Sequence, residues 1–375
     1  MKTKTNINLI ILLLPVFIIL ASCEQQKSEW QGTIEEVNGV TVVKNPKEPM
    51  YGENVFSLEE ELTIGEADGK EEYMFSRIKS ISVDEKERIY VLDYGEGHIK
   101  IFNKKGDYVQ TVGEKGQGPG EMIAPVTMVI SNQNEIVVHD RNNRRLNFYS
   151  LDGAFIKSLS TADVSLVDFN INSKGNIIGQ LVKREKEEQF FELCKFDSDF
   201  NLLLIYGSFP YPFERQTSKA FESTLCWTVS KDDNIVYGYP DKKYEFGVFH
   251  SQGKIIRKIN KKYNPLKIPK DIKNRIRERT EGIQGGLKLE IPKYYPPYGW
   301  VSLDDEDRIF VQTWEETEDG IGYYYDVFNS EGKYIAKVKL KYFLRVWKKR
   351  KLYVVESDED GYQIVKRYKV TWNIG

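Results

Sequence analysis

One unit recurs along the chain, and its spacing constrains the fold more than any other feature. It reads as a turn, an apolar strand, a short polar link, an alternating strand, a Gly turn and a third strand. The first copy spans Ser82–Asp93 and Ile99–Val109, the second Asn134–Asp140 and Leu146–Ile156. From Ile89 to Gly106 is seventeen positions, and from Ile136 to Gly153 is seventeen again. Looser copies follow at Gly175–Ile178 with Phe196–Asp199, at Asp233–Tyr237 with Phe249–Gly253, and at Asp307–Val311 with Phe328–Gly332. A sixth begins at Arg350–Val355 and has room for three strands, so Leu58–Ile64, ahead of the first full copy, is expected to supply the fourth. Internal repetition of this kind marks a repeat architecture, and a ring closed in this way leaves no unpaired edge between its first and last units. The expected fold is therefore all-β: a six-bladed β-propeller of four-stranded antiparallel blades, closed by an N-terminal strand. It would occupy residues 58–375, with an insertion at 261–299 and an N-terminal extension over 30–57.

Composition agrees with a large soluble core. Forty per cent hydrophobic and 29% charged residues are ordinary for a globular chain, and 13% aromatics with 23 tyrosines favour pleated sheet over helix. A formal charge of −2 carries no basic excess for nucleic acid.

The start of the chain sets the compartment. Lys2 and Lys4 precede an apolar run from Leu9 to Ala21, followed by Ser22 and Cys23. The run is short for a bilayer span, which needs about 20 residues, and its small-residue end marks a secretory signal peptide over residues 1–22. Leu20-Ala21-Ser22-Cys23 resembles the lipobox of bacterial lipoproteins, which implies that Cys23 is lipidated and becomes the new N-terminus, with residues 23–29 as a tether. The expected location is the cell envelope, anchored to the outer membrane by lipid. Of the remaining cysteines, Cys194 and Cys226 lie in apolar runs and read as buried thiols, with a disulfide between them as the alternative.

The first two copies also carry a family resemblance. Ile89–Asp93 through His98–Phe102, with Gly116-Gln117-Gly118-Pro119-Gly120-Glu121 in the next loop, resembles NHL-repeat propellers, and Asp140-Arg141-Asn142-Asn143-Arg144-Arg145-Leu146 fits their Asp-x-x-Asn-x-Arg pattern. The chain over residues 30–375 looks like the six-bladed β-propeller lipoproteins of bacterial envelopes, whose N-terminal segment is similar to Trp30–Glu36 and Val42–Pro46. The third copy departs most, lacking the Gly turn. The resemblance brings no catalytic residues with it.

Meander geometry sorts the connections by face, because alternate links of an antiparallel blade fall on opposite sides. First-to-second and third-to-fourth links are short Asp, Asn, Ser, Lys and Gly turns that read as plain closures. Second-to-third links, including 182–189 and 314–322, and blade-to-blade links, including 113–127, 207–224 and 261–299, hold nearly every insertion. Long loops in compact domains carry function or disorder, so a binding site is expected on that face around the central channel. Within 261–299, the spacing of Ile272, Ile276 and Ile283 predicts a helix over 269–281. Ten Lys and Arg there oppose four Asp and Glu, and Tyr294–Trp300 is aromatic and stiffened by proline. This segment reads either as a surface for a glycan or anionic polymer or as a lid packing its Ile stripe over the channel. Arg141, Arg144, Tyr211, Tyr295, Tyr298 and Trp300 are the candidate ligand-facing residues.

Little else points to chemistry. His98, His139 and His250 fall in different blades without metal-ligand spacing, and the 116–120 glycines lack the Lys-Ser/Thr end of a phosphate loop. The acidic turns 304–307 and 357–360 have the composition for calcium but read as turn caps. No catalytic, cofactor or metal residue is assigned. The expected role is a non-catalytic binding or scaffold module for a glycan, peptide or envelope protein on the long-loop face. A divalent-metal-dependent hydrolase or lyase with its site in the central channel, and a purely structural envelope component, are the alternatives.

Overall fold

The computed structural model describes residues 29–52, 55–186, 188–211, 217–280, 288–341 and 345–374. The signal peptide, Cys23, most of the tether and Ile283 lie outside these residues.

Six antiparallel blades form the ring. Blades one to five each run through four consecutive strands, spanning 78–112, 125–160, 166–210, 226–261 and 301–340. Blade six takes three strands from 345–372 and its outer strand from Phe56–Ile64. That closure is the one expected from the short sixth repeat. The innermost strands of neighbouring blades adjoin around the axis, and second strands such as Ile89–Asp93 are buried along their whole length. Burial between two adjacent blades is why they read as unbroken apolar runs rather than alternating ones. Outer strands such as Phe155–Ser160 have one free edge and alternate in exposure.

The core sits between blades as a series of interfaces. Tyr90, Leu92, Ile99 and Ile101 of blade one meet Met128, Ile136, Val138 and Tyr149 of blade two, all buried. Each such side chain contributes about 1.5–3 kcal/mol on leaving water.

The polar turns that punctuate the repeats have a common construction. In first-to-second links the leading Asp or Asn side chain accepts two backbone N–H groups: Asp84 Oδ1 from Lys86 and Arg88 at 2.9 and 2.8 Å, and Asp304 Oδ1 from Glu306 and Arg308 at 2.9 Å each. Such Asx turns are what these residue types favour. In third-to-fourth links a left-handed glycine packs on the preceding blade's outer strand: a Cβ on Gly153 (φ +83°) would meet Val112 at 2.4 Å. Blade three, without that glycine, holds Phe200 at φ 68° and stacks its ring on Phe196 at 4.4 Å. Its second-to-third link is also shorter than expected, because most of 182–189 is paired strand out to Glu185 opposite Glu188.

The N-terminal extension is more than a tether. Strands β1 (Thr33–Val37) and β2 (Val40–Asn45) form a hairpin, and β2 adds to blade four in parallel with Ile255–Lys261, giving that sheet six strands. The chain then crosses blade five, where Met50 and Tyr51 N–H groups donate to Tyr334 and Ile335 carbonyls at 3.0 Å, and continues as β3 (Phe56–Ile64) in blade six. Asn45, 2% exposed, ties this strap down: its Nδ2 donates to the Gly332 and Asn260 carbonyls, while its Oδ1 accepts from Trp30 Nε1 and the Tyr334 N–H.

Candidate functional site: a cleft between blades four and five

Helix α1 (Lys270–Thr280) matches the expected helix and leaves Ile272 and Ile276 only half-buried. The insertion doubles back on itself, with the Ile268 and Tyr295 N–H groups donating to the Lys293 and Leu266 carbonyls at 3.1 and 2.9 Å. A short parallel pairing of 217–219 with 288–290 joins it to the preceding loop. This folding brings Pro265, Leu266, Pro296 and Pro297 over the gap between blades four and five.

Beneath them is a cleft of about 340 Å³ whose inner end holds Asp326, Lys261, Tyr244 and Tyr334. Asp326 is fully buried on the third strand of blade five. Lys261 Nζ and the Tyr244 hydroxyl both donate to its Oδ2, at 2.8 and 2.5 Å, and the Tyr334 hydroxyl donates to its Oδ1 at 2.6 Å. The Lys261 ammonium also lies over the Tyr244 and Tyr334 rings, 5.1 and 4.6 Å from their centroids. Burial, then the Asp326 charge, pushes both phenols well above their ordinary range, so they stay protonated as donors. A charge buried this deeply is tolerable only when paired and hydrogen-bonded, and the cluster bolts blade four to blade five. Toward solvent the wall is Tyr263, Trp314 and the prolines, with Glu315 held by Lys337.

The six candidate ligand-facing residues are spread over three blades. Tyr295 stacks on Trp314 at 5.1 Å and 8°, with Phe221 edge-on to both, and so backs the cleft wall. Trp300, 40% exposed, precedes the inner strand of blade five. Tyr298 does not face a ligand: it is fully buried against Tyr244 and Phe246, and its hydroxyl donates to the Glu245 carbonyl at 2.6 Å. Tyr211 packs edge-on to Phe191 beside blade three. Arg141 is exposed in blade two, and the exposed Arg144 donates to the Ala162 carbonyl.

The Asp-x-x-Asn-x-Arg residues clamp a loop. Asp140 Oδ1 accepts from the Ile123 and Ala124 N–H groups, Asn143 Nδ2 donates to the Gly116 carbonyl, and Arg145 donates to the carbonyls of Gln117, Gly118 and Glu121. The Gly-rich loop is thus a tight interblade turn. His139 is buried, and burial, reinforced by Arg141, depresses its pKa to about 4. Cys194 and Cys226 are free buried thiols, each pushed up to about 12 by burial. Among the described residues no three His, Cys, Asp or Glu side chains gather as a metal-ligand set, and none of these helices is long and apolar enough to cross a membrane.

Sequence reasoning missed the Asp326 cluster and Trp314. The available signal was an aspartate inside the otherwise apolar and aromatic strand Tyr323–Phe328.

Comparison with known proteins supports the fold. Residues 69–243 match the family profile "Domain of unknown function (DUF4934)". The crystal structure of a candidate exported protein from Bacteroides fragilis is similar, with a TM-score of 0.57 at 14% identity over 89% of this chain and 100% of that one. A DUF4221 family member from Bacteroides vulgatus gives a TM-score of 0.57 at 15% identity over 86% of this chain and 100% of that one. At these identities the likeness establishes the propeller alone. No curated protein matches the sequence.

Proposed function

We propose that this chain is a non-catalytic binding module of the cell envelope, held at the outer membrane through a lipid on Cys23, that takes a glycan or peptide in the cleft between blades four and five. The observation carrying this reading is that the ionisable groups lining the cleft are matched within it. Lys261 pairs with Asp326, Lys337 with Glu315, and Lys47 lies 3.9 Å from Glu48, while the phenols on Asp326 remain protonated. The cleft offers aromatic and proline faces beside paired polar edges. Such a surface suits an uncharged, hydroxyl- or amide-rich ligand. The envelope location draws support from the leader and lipobox residues and from a fold relative described as a candidate exported protein.

Two measurements test it. Full-length detergent-solubilised protein is titrated with panels of neutral oligosaccharides and of peptides while tryptophan fluorescence and melting temperature are followed, since a ligand that binds the folded state raises the latter. A Trp314→Ala variant should weaken binding by about tenfold, equivalent to about 1.4 kcal/mol; no binding by the wild type, or equal binding by the variant, overturns the cleft reading. Cys23→Ala should release the protein into the soluble envelope fraction, and continued membrane association would refute the lipid anchor.

A further inference from the structure

The short-turn side, which the sequence presents as plain closure, holds a pocket of its own. It is about 560 Å³, bounded by the first-to-second turns of blades five and six and by the closing strands of blade six. Five cations, Arg308, Lys349, Arg350, Lys351 and Lys369, line it against two carboxylates, Glu61 and Glu306. Carboxylates outside the lining offset part of this excess, since Arg308 pairs with Asp304, Lys351 with Glu87, and Lys349 and Lys369 lie 3.9 and 3.8 Å from Glu85 and Glu59.

The backbone is strained to put two of those cations there. Lys349 and Arg350 form a two-residue hairpin turn between Lys348 and Lys351, with φ of 52° and 56°. Left-handed backbone at both central positions is what Asn-Gly supplies at least cost, and long side chains supply at more. In blades one, two, four and five the corresponding turn has a single left-handed residue, Glu87, Asn134, Asp233 or Asp307, and in blade three it has Gly175. Strain kept where a cheaper sequence exists points to a use for the side chains.

Lys349 Nζ donates to the Glu85 carbonyl at 2.5 Å and Lys351 pairs with Glu87, so the cations left most open are Arg350 and Lys369. Arg350 is anchored through its N–H to Asp305 and its Nε to Glu306 at 3.1 Å, yet its side chain is 80% exposed. Lys369 is 57% exposed and 3.8 Å from Glu59. Arg308 is fixed between Asp304 Oδ2 at 3.0 Å and the Trp372 ring at 4.6 Å, giving the pocket a rigid wall. A planar guanidinium flanked by ammonium groups matches a tetrahedral oxyanion with several acceptor oxygens.

We propose that this pocket binds a phosphate group, with Arg350 as its main contact and Lys349 and Lys369 at its edge. The group can come from a phospholipid headgroup or a soluble phosphate compound. A headgroup as the source rests on the anchor reading, whereas the phosphate pocket does not.

The test uses the full chain carrying Cys23→Ala, so that an anchor cannot contribute. Inorganic phosphate and glycerol phosphate are titrated by calorimetry, and flotation is measured with vesicles of phosphatidylglycerol or of phosphatidylcholine. The expected result is binding in at least one phosphate arm, with phosphatidylglycerol preferred over phosphatidylcholine if headgroups are the source, and soluble phosphate alone if they are not. The double substitution Lys349→Asn/Arg350→Gly should raise the melting temperature by relieving the turn and cut phosphate binding at least tenfold. Lys369→Gln should weaken it severalfold, and Lys293→Gln, in the basic insertion, should leave it unchanged. No binding in any arm, or unaltered binding by the more stable double variant, overturns the proposal.

Discussion

Removing the Lys261 ammonium would leave Asp326 as a buried carboxylate held by two phenols alone. Breaking one partner of a buried pair costs about 3–5 kcal/mol, so Lys261→Met should destabilise the protein by about 3 kcal/mol in denaturant unfolding. A loss below about 1 kcal/mol would mean that the cluster is hydrated and not a bolt. His139 makes a second residue-scale prediction, in pH. Its folded pKa of about 4 lies below the ordinary 6.5 because burial disfavours the charged ring. The unfolded state therefore binds the proton more tightly, and the stability this entails is complete above pH 6.5 and lost as pH falls toward 4. The size is about 3 kcal/mol, at 1.36 kcal/mol per pKa unit. Asp304, raised to about 6 by burial, titrates in the same window with the opposite sign, so the quantity to measure is wild type minus His139→Gln. A difference independent of pH would show that His139 is hydrated or partnered in solution.

Among elements, the strap has the clearest energetic consequences. Asn45→Ala would strand the buried Gly332 carbonyl and Tyr334 N–H, and unsatisfied groups of this kind cost about 1–3 kcal/mol each; a loss of about 2 kcal/mol is expected by chemical denaturation. A chain starting at residue 46 should keep its ring closed by β3. One starting at residue 65 bares the edge of Gln363–Trp372 and should associate, as light scattering would show. These elements were unequally legible in the sequence. The turns were readable because Asp84, Asn103, Asn172 and Asp304 each cap their own links locally, and β3 was readable because the sixth repeat lacked a strand. The pairing of β2 with blade four was not, because it joins positions 215 apart and two short strands carry no mark of their partner. The Asp326 cluster escaped for the same reason, since two of its partners, Lys261 and Tyr244, lie on another blade 65 and 82 positions away. Tyr298 was misjudged because an aromatic beside prolines reads the same whether it faces a ligand or a core.

For the molecule as a whole, the acidic turns bear on metal dependence. Asp304 and Asp358 already accept backbone N–H groups, and Asp304 pairs with Arg308. Both Asp304 oxygens and Asp358 Oδ1 are thus engaged, so calcium and EDTA should give melting temperatures within about 1 °C of each other; a larger shift in calcium would locate a site among residues outside those described, or a rearranged turn. The way the ring closes also has a consequence in time. Lys366 and Glu60, which meet across the final seam, are 306 residues apart, so the first strand of the propeller to leave the ribosome is among the last to find its place. Contacts of such sequence separation form slowly, and until they form blade six has an open side. On the export route proposed above, this order of events would keep the ring open during passage, because no stretch that emerges early can seal it before Gln363–Trp372 has followed.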